Sequence, residues 1–286
     1  MFTSFTRWIK NHDLLTYFVL AFLFTYMAWS VTLLIPTQED PNTKAEFAKI
    51  FQFLGMWGPA LAGILTTAVT RGKPGLKDLF RRLLQWRVSF KWYLLILFLW
   101  PLLTILADFL YAQITHQSVR FQVNGWSQTI NWLDDALFTV FWASEEIGWR
   151  GFALPRLLSR RNALVSSLIL GTVWGLWHLP LFFMGNTPPV TYLIFTVSVS
   201  ILLTWIMNNN QGSLFLAIFF HAWINIYGGI HADRFIVAEP DPVRQTLIRT
   251  MLMAVAALVV VALYGYRTFT RERKSPLLAE WKPGAS

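Results

Sequence analysis

Eight stretches of about twenty apolar residues divide this chain of 286, at about 13–35, 48–70, 92–114, 131–149, 163–184, 189–207, 212–230 and 247–268. About 20 helical residues cross a hydrocarbon core of roughly 30 Å. In lipid, every backbone polar group must be satisfied inside its own segment, so stretches of this length become helices. The expected fold is all-α: a polytopic membrane bundle of about eight transmembrane helices, forming a single integral-membrane domain over 1–286. An apolar content of 55% against 14% charged residues agrees with that class. The first stretch exceeds a signal-peptide core, and no small-residue cleavage site follows it, so it reads as a retained span. No repeat or long linker interrupts the chain.

A net charge of +9 raises the question of nucleic acid. The basic residues, however, cluster between alternate spans. With a cytoplasmic start, the inner segments hold Arg7 and Lys10, seven Lys/Arg from Arg71 to Lys91, four from Arg150 to Arg161 and five from Arg267 on, together 18 of 24. The outer segments hold Lys44, Lys49, Arg120, Arg234, Arg244 and Arg249 beside Glu39, Asp40, Glu46, Asp233, Glu239 and Asp241. This is the positive-inside pattern; it predicts both termini in the cytoplasm and argues against nucleic acid, and the plasma (inner) membrane is the expected location. Within 71–91, Leu76, Leu79, Phe80, Leu83 and Leu84 recur at helical spacing among basic residues, as in a helix lying on an anionic surface or a solvated connector. The cytoplasmic tail, 269–286, is basic and then polar, and is expected to be mobile. Trp8, Trp86, Trp92, Trp126, Trp132 and Trp205 fall near span ends, where indoles anchor at the interface.

Against this apolar background the run Ser-Glu-Glu-Ile-Gly-Trp-Arg at 144–150 stands out. A carboxylate at mid-membrane depth costs roughly 3 kcal/mol on insertion scales, so such residues are functional candidates by default. Glu146 and Arg150 are i and i+4 with the acid first, the favourable order for a pair on one helix face. Glu145 points about 100° away and has no partner in its own helix. Unpaired and out of water, it is the better placed of the two to act as a general base. The competing reading is that both acids only bridge to basic groups of neighbouring helices.

Two of the five histidines lie inside spans. His178 follows Trp174 by one turn, and His221 precedes Asn225 by one turn. One histidine on an apolar helix is more often a packed core residue; two, with an asparagine in register and an unpaired glutamate, make a convergent polar site. Glu145 could then take a proton from water with His178 orienting it, while His221 and Asn225 donate to the oxyanion of a tetrahedral intermediate. Trp142, Trp149, Trp174, Trp177 and Trp223 lie within four residues of these groups and could wall a desolvated pocket. His12, His116 and His231 read as unremarkable, and Asp108, Asp134 and Asp135 as weaker candidates near outer boundaries. Having no cysteine excludes thiol nucleophiles and thiolate metal sites. Neither G-x-S-x-G nor H-E-x-x-H occurs.

Taken together, Glu-Glu-x-x-x-Arg at 145–150, aromatic-x-x-x-His at 174–178 and His-x-x-x-Asn at 221–225 resemble the CPBP family of intramembrane glutamic endopeptidases. That family includes the type II CAAX prenyl endopeptidases and the Abi-type bacteriocin-immunity proteins. The similarity spans a motif-bearing core at about 130–230. It implies an eight-helix bundle, a water-activating Glu145 supported by His178, an oxyanion site of His221 and Asn225, and Glu146 with Arg150 in support. It implies no cofactor, and as partners the bilayer and a peptide or protein substrate, CAAX-type or bacteriocin-related, whose lipid modification is open. One departure is Trp174, where the family commonly has phenylalanine; that change is expected to alter packing or pocket shape more than chemistry.

Depth imposes a condition. At about 1.5 Å per residue, Glu145 lies roughly 20 Å from a boundary at 131 and His221 about 14 Å from one at 212, but His178 about 24 Å from 162. They meet only if the fifth helix starts outside the core and ends near Pro180, with an irregular stretch around 181–190. Two other functions stay open: a zinc protease with the metal on Glu145, His178 and His221, and a non-catalytic transporter, immunity protein or scaffold. Against transport, no internal symmetry is detectable.

Overall fold

A computed structural model describes residues 2–31, 34, 41–121, 139–140, 143–182, 188–237, 240–272, 275 and 277. Helices dominate: α1 (Phe2–Asn11), α2 (Asp13–Val31), α3 (Pro41–Met56), α4 (Gly58–Leu83), α5 (Phe90–Thr115), α6 (Glu145–Gly148), α7 (Leu154–Leu158), α8 (Ala163–Trp177), α9 (Leu179–Phe182), α10 (Pro189–Asn208), α11 (Leu214–Arg234) and α12 (Pro242–Tyr264). Trp149–Ala153, between α6 and α7, form a π-helical turn. A short antiparallel ribbon, β1 (Val119–Phe121) with β2 (Phe235–Val237), joins the ends of α5 and α11 and has no counterpart in the sequence reading.

Among the described residues, five helical stretches are long and apolar enough to cross a membrane, at Asp13–Val31, Phe47–Leu83, Phe90–Thr115, Pro189–Asn208 and Pro242–Tyr264, and two shorter apolar helices lie at Ala163–Trp177 and Leu214–Gly228. The protein is an all-α integral membrane bundle. Seven of the eight expected spans correspond to these; of the remaining one, 131–138 lie outside the described residues, as do Asp134, Asp135, Trp126, Trp132 and Trp142.

The peripheral helices are two-faced. On α2, Tyr17, Ala21, Thr25 and Trp29 recur every fourth residue and are buried, while Leu15, Val19, Leu23 and Met27 are exposed on the other side. On α5 the same division sets Ile96, Trp100, Thr104 and Asp108 inward and Phe98, Leu102, Ile105 and Phe109 outward. An outer face this apolar suits hydrocarbon as solvent. In contrast, α10 is buried over most of its length, and every residue from 143 to 158 is buried. The segment bearing the two glutamates is thus the axis of the bundle, wrapped by α2, α4, α8 and α11.

Close helix approach requires small residues on this axis. A Cβ on Gly148 would collide with the Pro59 carbonyl and stand 2.6 Å from the Tyr17 hydroxyl, so α4 and α2 reach α6 only because none is there. Likewise a Cβ on Gly171 would stand 2.6 Å from the Val197 Cα, which lets α8 pack directly on α10.

The basic segment after the second span is a continuation of it: α4 kinks at Gly72 (φ 58°, ψ −154°), two residues before Pro74, and runs to Leu83. Asp78 collects Arg71, Arg81 and Arg82 at 3.1–3.7 Å, and Arg82 Nη2 donates to the Gly151 carbonyl at 2.8 Å. Burial of Arg82 and Leu79 makes this stretch part of the bundle, although Phe80 and Leu84 remain exposed. At the same end the buried Arg156 of α7 pairs with Asp13 at the start of α2.

Two expectations need correction here. The start of the tail is packed: Phe269 and Leu277 are buried, the Ser275 hydroxyl donates to Asn208 at 2.8 Å, and the Arg267 carbonyl accepts from Ala163 N at 2.8 Å. Trp92 and Trp205 are buried against each other with ring centres 4.9 Å apart, whereas Trp8 and Trp86 are exposed as interfacial anchors would be.

Candidate active site

The fifth span stops early. α8 opens with an Asn162 side-chain cap on Val165 N at 2.9 Å and ends at Trp177, with His178 at its C-cap. Of the irregular stretch expected around 181–190, Leu181 and Phe182 close α9, Pro189 and Val190 open α10, and 183–187 lie outside the described residues. The break puts the His178 ring beside Trp174, Trp177 and Tyr192, at ring-centre distances of 5.9, 4.6 and 5.1 Å. Its Nδ1 lies 2.9 Å from the Trp174 carbonyl, an acceptor only, so Nδ1 carries the proton and Nε2 is left with a lone pair.

Glu146 and Arg150 pair as their spacing requires, with Arg150 Nη1 3.0 Å from both carboxylate oxygens and both side chains fully buried. The contact survives the π turn that begins at Trp149. A π turn shifts the backbone register by one residue and frequently occurs at functional sites. His221 of α11 brings its Nδ1 to Glu146 Oε1 at 2.9 Å, so Glu146 bridges a guanidinium and an imidazole. A carboxylate at Nδ1 fixes the ring orientation and balances the charge of a doubly protonated ring, which then donates from Nε2.

Glu145 points elsewhere, as the 100° helical offset dictates. Its Oε2 accepts hydrogen bonds from two indoles, Trp174 Nε1 at 2.8 Å and Trp149 Nε1 at 3.3 Å. The Trp174 ring also lies 5.3 Å from the His221 ring, and the Arg150 guanidinium sits 4.6 Å over its face. One indole therefore touches groups from all three motifs. Asn225 is on α11 one turn beyond His221, but it is exposed and its amide makes no hydrogen bond among the described residues. Of the six residues singled out from sequence, five meet around Trp174 directly or through Glu146; Asn225 lines the open side of the same helix.

The sequence reading passed over several groups. Tyr17 of α2 is fully buried with its hydroxyl in the field of both glutamates and Arg150. Tyr192 of α10 interacts electrostatically with Glu145. His231 and Asp108 are partners: Asp108 joins His231 Nε2 at 2.5 Å and Arg249 Nη2 at 2.8 Å, which ties α5, α11 and α12 together near the ribbon. Nothing in local sequence pairs residues 123 positions apart, so only the fold discloses this cluster. Among the described residues, no three His, Asp or Glu side chains are grouped so as to hold a metal ion.

Residues 125–227, which include all three motifs, match a family model described as type II CAAX prenyl endopeptidase, Rce1-like. CAAX prenyl protease 2 from Methanococcus maripaludis is 27% identical over 226 residues, an alignment covering 73% of this chain and 82% of that protein. The class defined by bundle, site and these matches is a membrane-embedded hydrolase, an intramembrane endopeptidase. The three motifs lie within the matched residues, and through them the chain resembles the CPBP family of CAAX-protease-like enzymes.

Proposed function

We propose that this endopeptidase cuts a peptide bond with a water activated by Glu145, in a membrane-associated peptide or protein and without a metal or other cofactor. The supporting observation is the convergence on Trp174, where a carboxylate and two imidazoles from separate segments surround one indole. Glu145 Oε1 takes one proton from water while His178 Nε2 accepts a hydrogen bond from the other O–H, which stays on the attacking oxygen. The water oxygen bonds to the peptide carbonyl carbon, and the carbonyl oxygen becomes an oxyanion that His221 Nε2 and the Asn225 amide stabilise. As the C–N bond breaks, the proton held on Glu145 passes to the leaving nitrogen, and the acid and amine products separate. Glu146 and Arg150 hold His221 in place and keep their charges matched.

A Cys-a-a-X peptide carrying a prenyl group is the first substrate to test, because the Methanococcus relative is named for that processing; bacteriocin-type peptides are the second class. We place both termini in the cytoplasm, on the strength of the 18 of 24 Lys/Arg in the segments so assigned, and take the plasma membrane as the protein's location.

The test is a comparison of peptides and protein termini in membranes carrying the native chain or Glu145→Gln, which keeps the shape and removes the base. At least one precursor should persist uncut in the variant, with the protein inserted at the native level. Failure to insert would assign Glu145 a structural role, and identical processing with an unaltered phenotype would favour a binding protein.

A further inference from the structure

The two glutamates are adjacent, both are buried, and one arginine lies within reach of the pair, so something must decide which acid the arginine neutralises. Trp174 makes that division. Its face receives the Arg150 guanidinium at 4.6 Å, while its edge donates Nε1–H to Glu145 Oε2 at 2.8 Å. Arg150 stays with Glu146 at 3.0 Å, over the face of the ring rather than at its edge. The second indole, Trp149, donates to the same Oε2 at 3.3 Å from the first residue of the π turn.

We infer that Trp174 and Trp149 are positioning residues for the base, two indole N–H groups that pin Oε2 of Glu145 and leave Oε1 turned toward water. The inference rests on Glu145 being the base. Both donors address one oxygen, and among the described residues Oε1 accepts no hydrogen bond. A carboxylate so held has one oxygen committed and one available, and it cannot swing to Arg150. Indole suits the task because it donates a single hydrogen bond and accepts none, so it cannot take the proton that Glu145 must carry. Phenylalanine, which the family commonly has at this place, offers the ring without the donor. Trp174 thus changes the chemistry as well as the packing that the sequence reading assigned to it.

Because N–H donation to the charged carboxylate favours its ionised form, removing it changes the pH dependence. The other groups that face Glu145 are Glu146 and Arg150 from its own segment, His221 on α11, Tyr17 on α2 and Tyr192 on α10, with His178 of the α8 C-cap packed on the Trp174 ring. None of these is altered by Trp174→Phe, which retains an aromatic ring between the two imidazoles.

The experiment compares native enzyme, Trp174→Phe, Trp149→Phe and Glu145→Gln in proteoliposomes, with a farnesylated Cys-a-a-X peptide as probe and kcat and KM measured from pH 5 to 9. Losing one donor to a charged acceptor should move the acid limb of kcat/KM for Trp174→Phe about one unit toward higher pH and lower kcat about tenfold, with KM within about twofold. Trp149→Phe, whose hydrogen bond is longer, should show a smaller shift in the same direction. A packing role alone would lower activity at all pH values and leave the limb where it was, and that outcome overturns the inference. If Glu145→Gln is inactive while Trp174→Phe has the native profile, the clamp fails and the base stands. If Glu145→Gln retains native activity, the base reading itself fails. Should Trp174→Phe lower the melting temperature too far for kinetics, Trp149→Phe decides alone: a limb moved toward higher pH supports the inference, and an unmoved limb overturns it.

Discussion

Arg150→Met leaves Glu146 fully buried with only His221 to balance its charge. At the observed 3.0 Å, the gross attraction lost is about 5 kcal/mol for an effective dielectric constant near 20. Measured losses on breaking one side of a buried pair are about 3–5 kcal/mol, because the abandoned charge stays desolvated. Glu146→Gln should cost a similar amount, since it strands Arg150, whose Nε and Nη2 make no hydrogen bond among the described residues. In the double variant the guanidinium and the carboxylate are both gone and His221 can release its proton, so no charge need be stranded; it should lose no more than the worse single variant, a non-additivity of at least about 3 kcal/mol. Reversible unfolding in mixed micelles or bicelles, applied to the full double-mutant cycle, measures this. Additive losses, or single losses under about 1 kcal/mol, would refute the view that Glu146 and Arg150 form one electrostatic unit.

Other outcomes follow from the packing. Asp108→Asn removes the charge that holds His231 and Arg249; it should cost about 2–4 kcal/mol in the same unfolding assay, and a loss under 0.5 kcal/mol would deny the cluster a structural role. Gly148→Val cannot be accommodated between Pro59 and Tyr17 without parting α4 and α2 from the axis, so it should abolish folded protein in detergent extracts, as followed by size-exclusion chromatography; a well-folded variant would contradict the close approach. Incubation with a strong chelator should leave cleavage within about 20% of control, as a glutamate base acts without metal; loss of activity restored by zinc would establish the metal reading.

How far the site was legible depended on whether a relation was local in sequence. Glu146 with Arg150 could be read from spacing alone, and the structure shows that pair even across a π turn that no spacing rule discloses. The inequality of the two glutamates was also legible, since adjacent residues on a helix point about 100° apart. What lay beyond reach were contacts set by how helices rotate against one another. Trp174 follows Glu145 by 29 residues and meets it through an indole edge, and His221 meets Glu146 across 75. Asp108 reads as a weaker candidate near an outer boundary and His231 as unremarkable at a span end, because their partners stand on other helices. The mobile tail was expected from polarity, yet Phe269 and Leu277 find a hydrophobic seat that only the assembled helices offer.

The most direct test of the account is the rate of peptide-bond cleavage by purified protein in proteoliposomes, native against Glu145→Gln, with a farnesylated Cys-a-a-X peptide and with equal insertion and melting temperature verified for both. The account predicts cleavage by the native chain and a loss of about a hundredfold to ten-thousandfold in the variant, the scale expected when a general base is removed. Cleavage by Glu145→Gln within tenfold of native would contradict it.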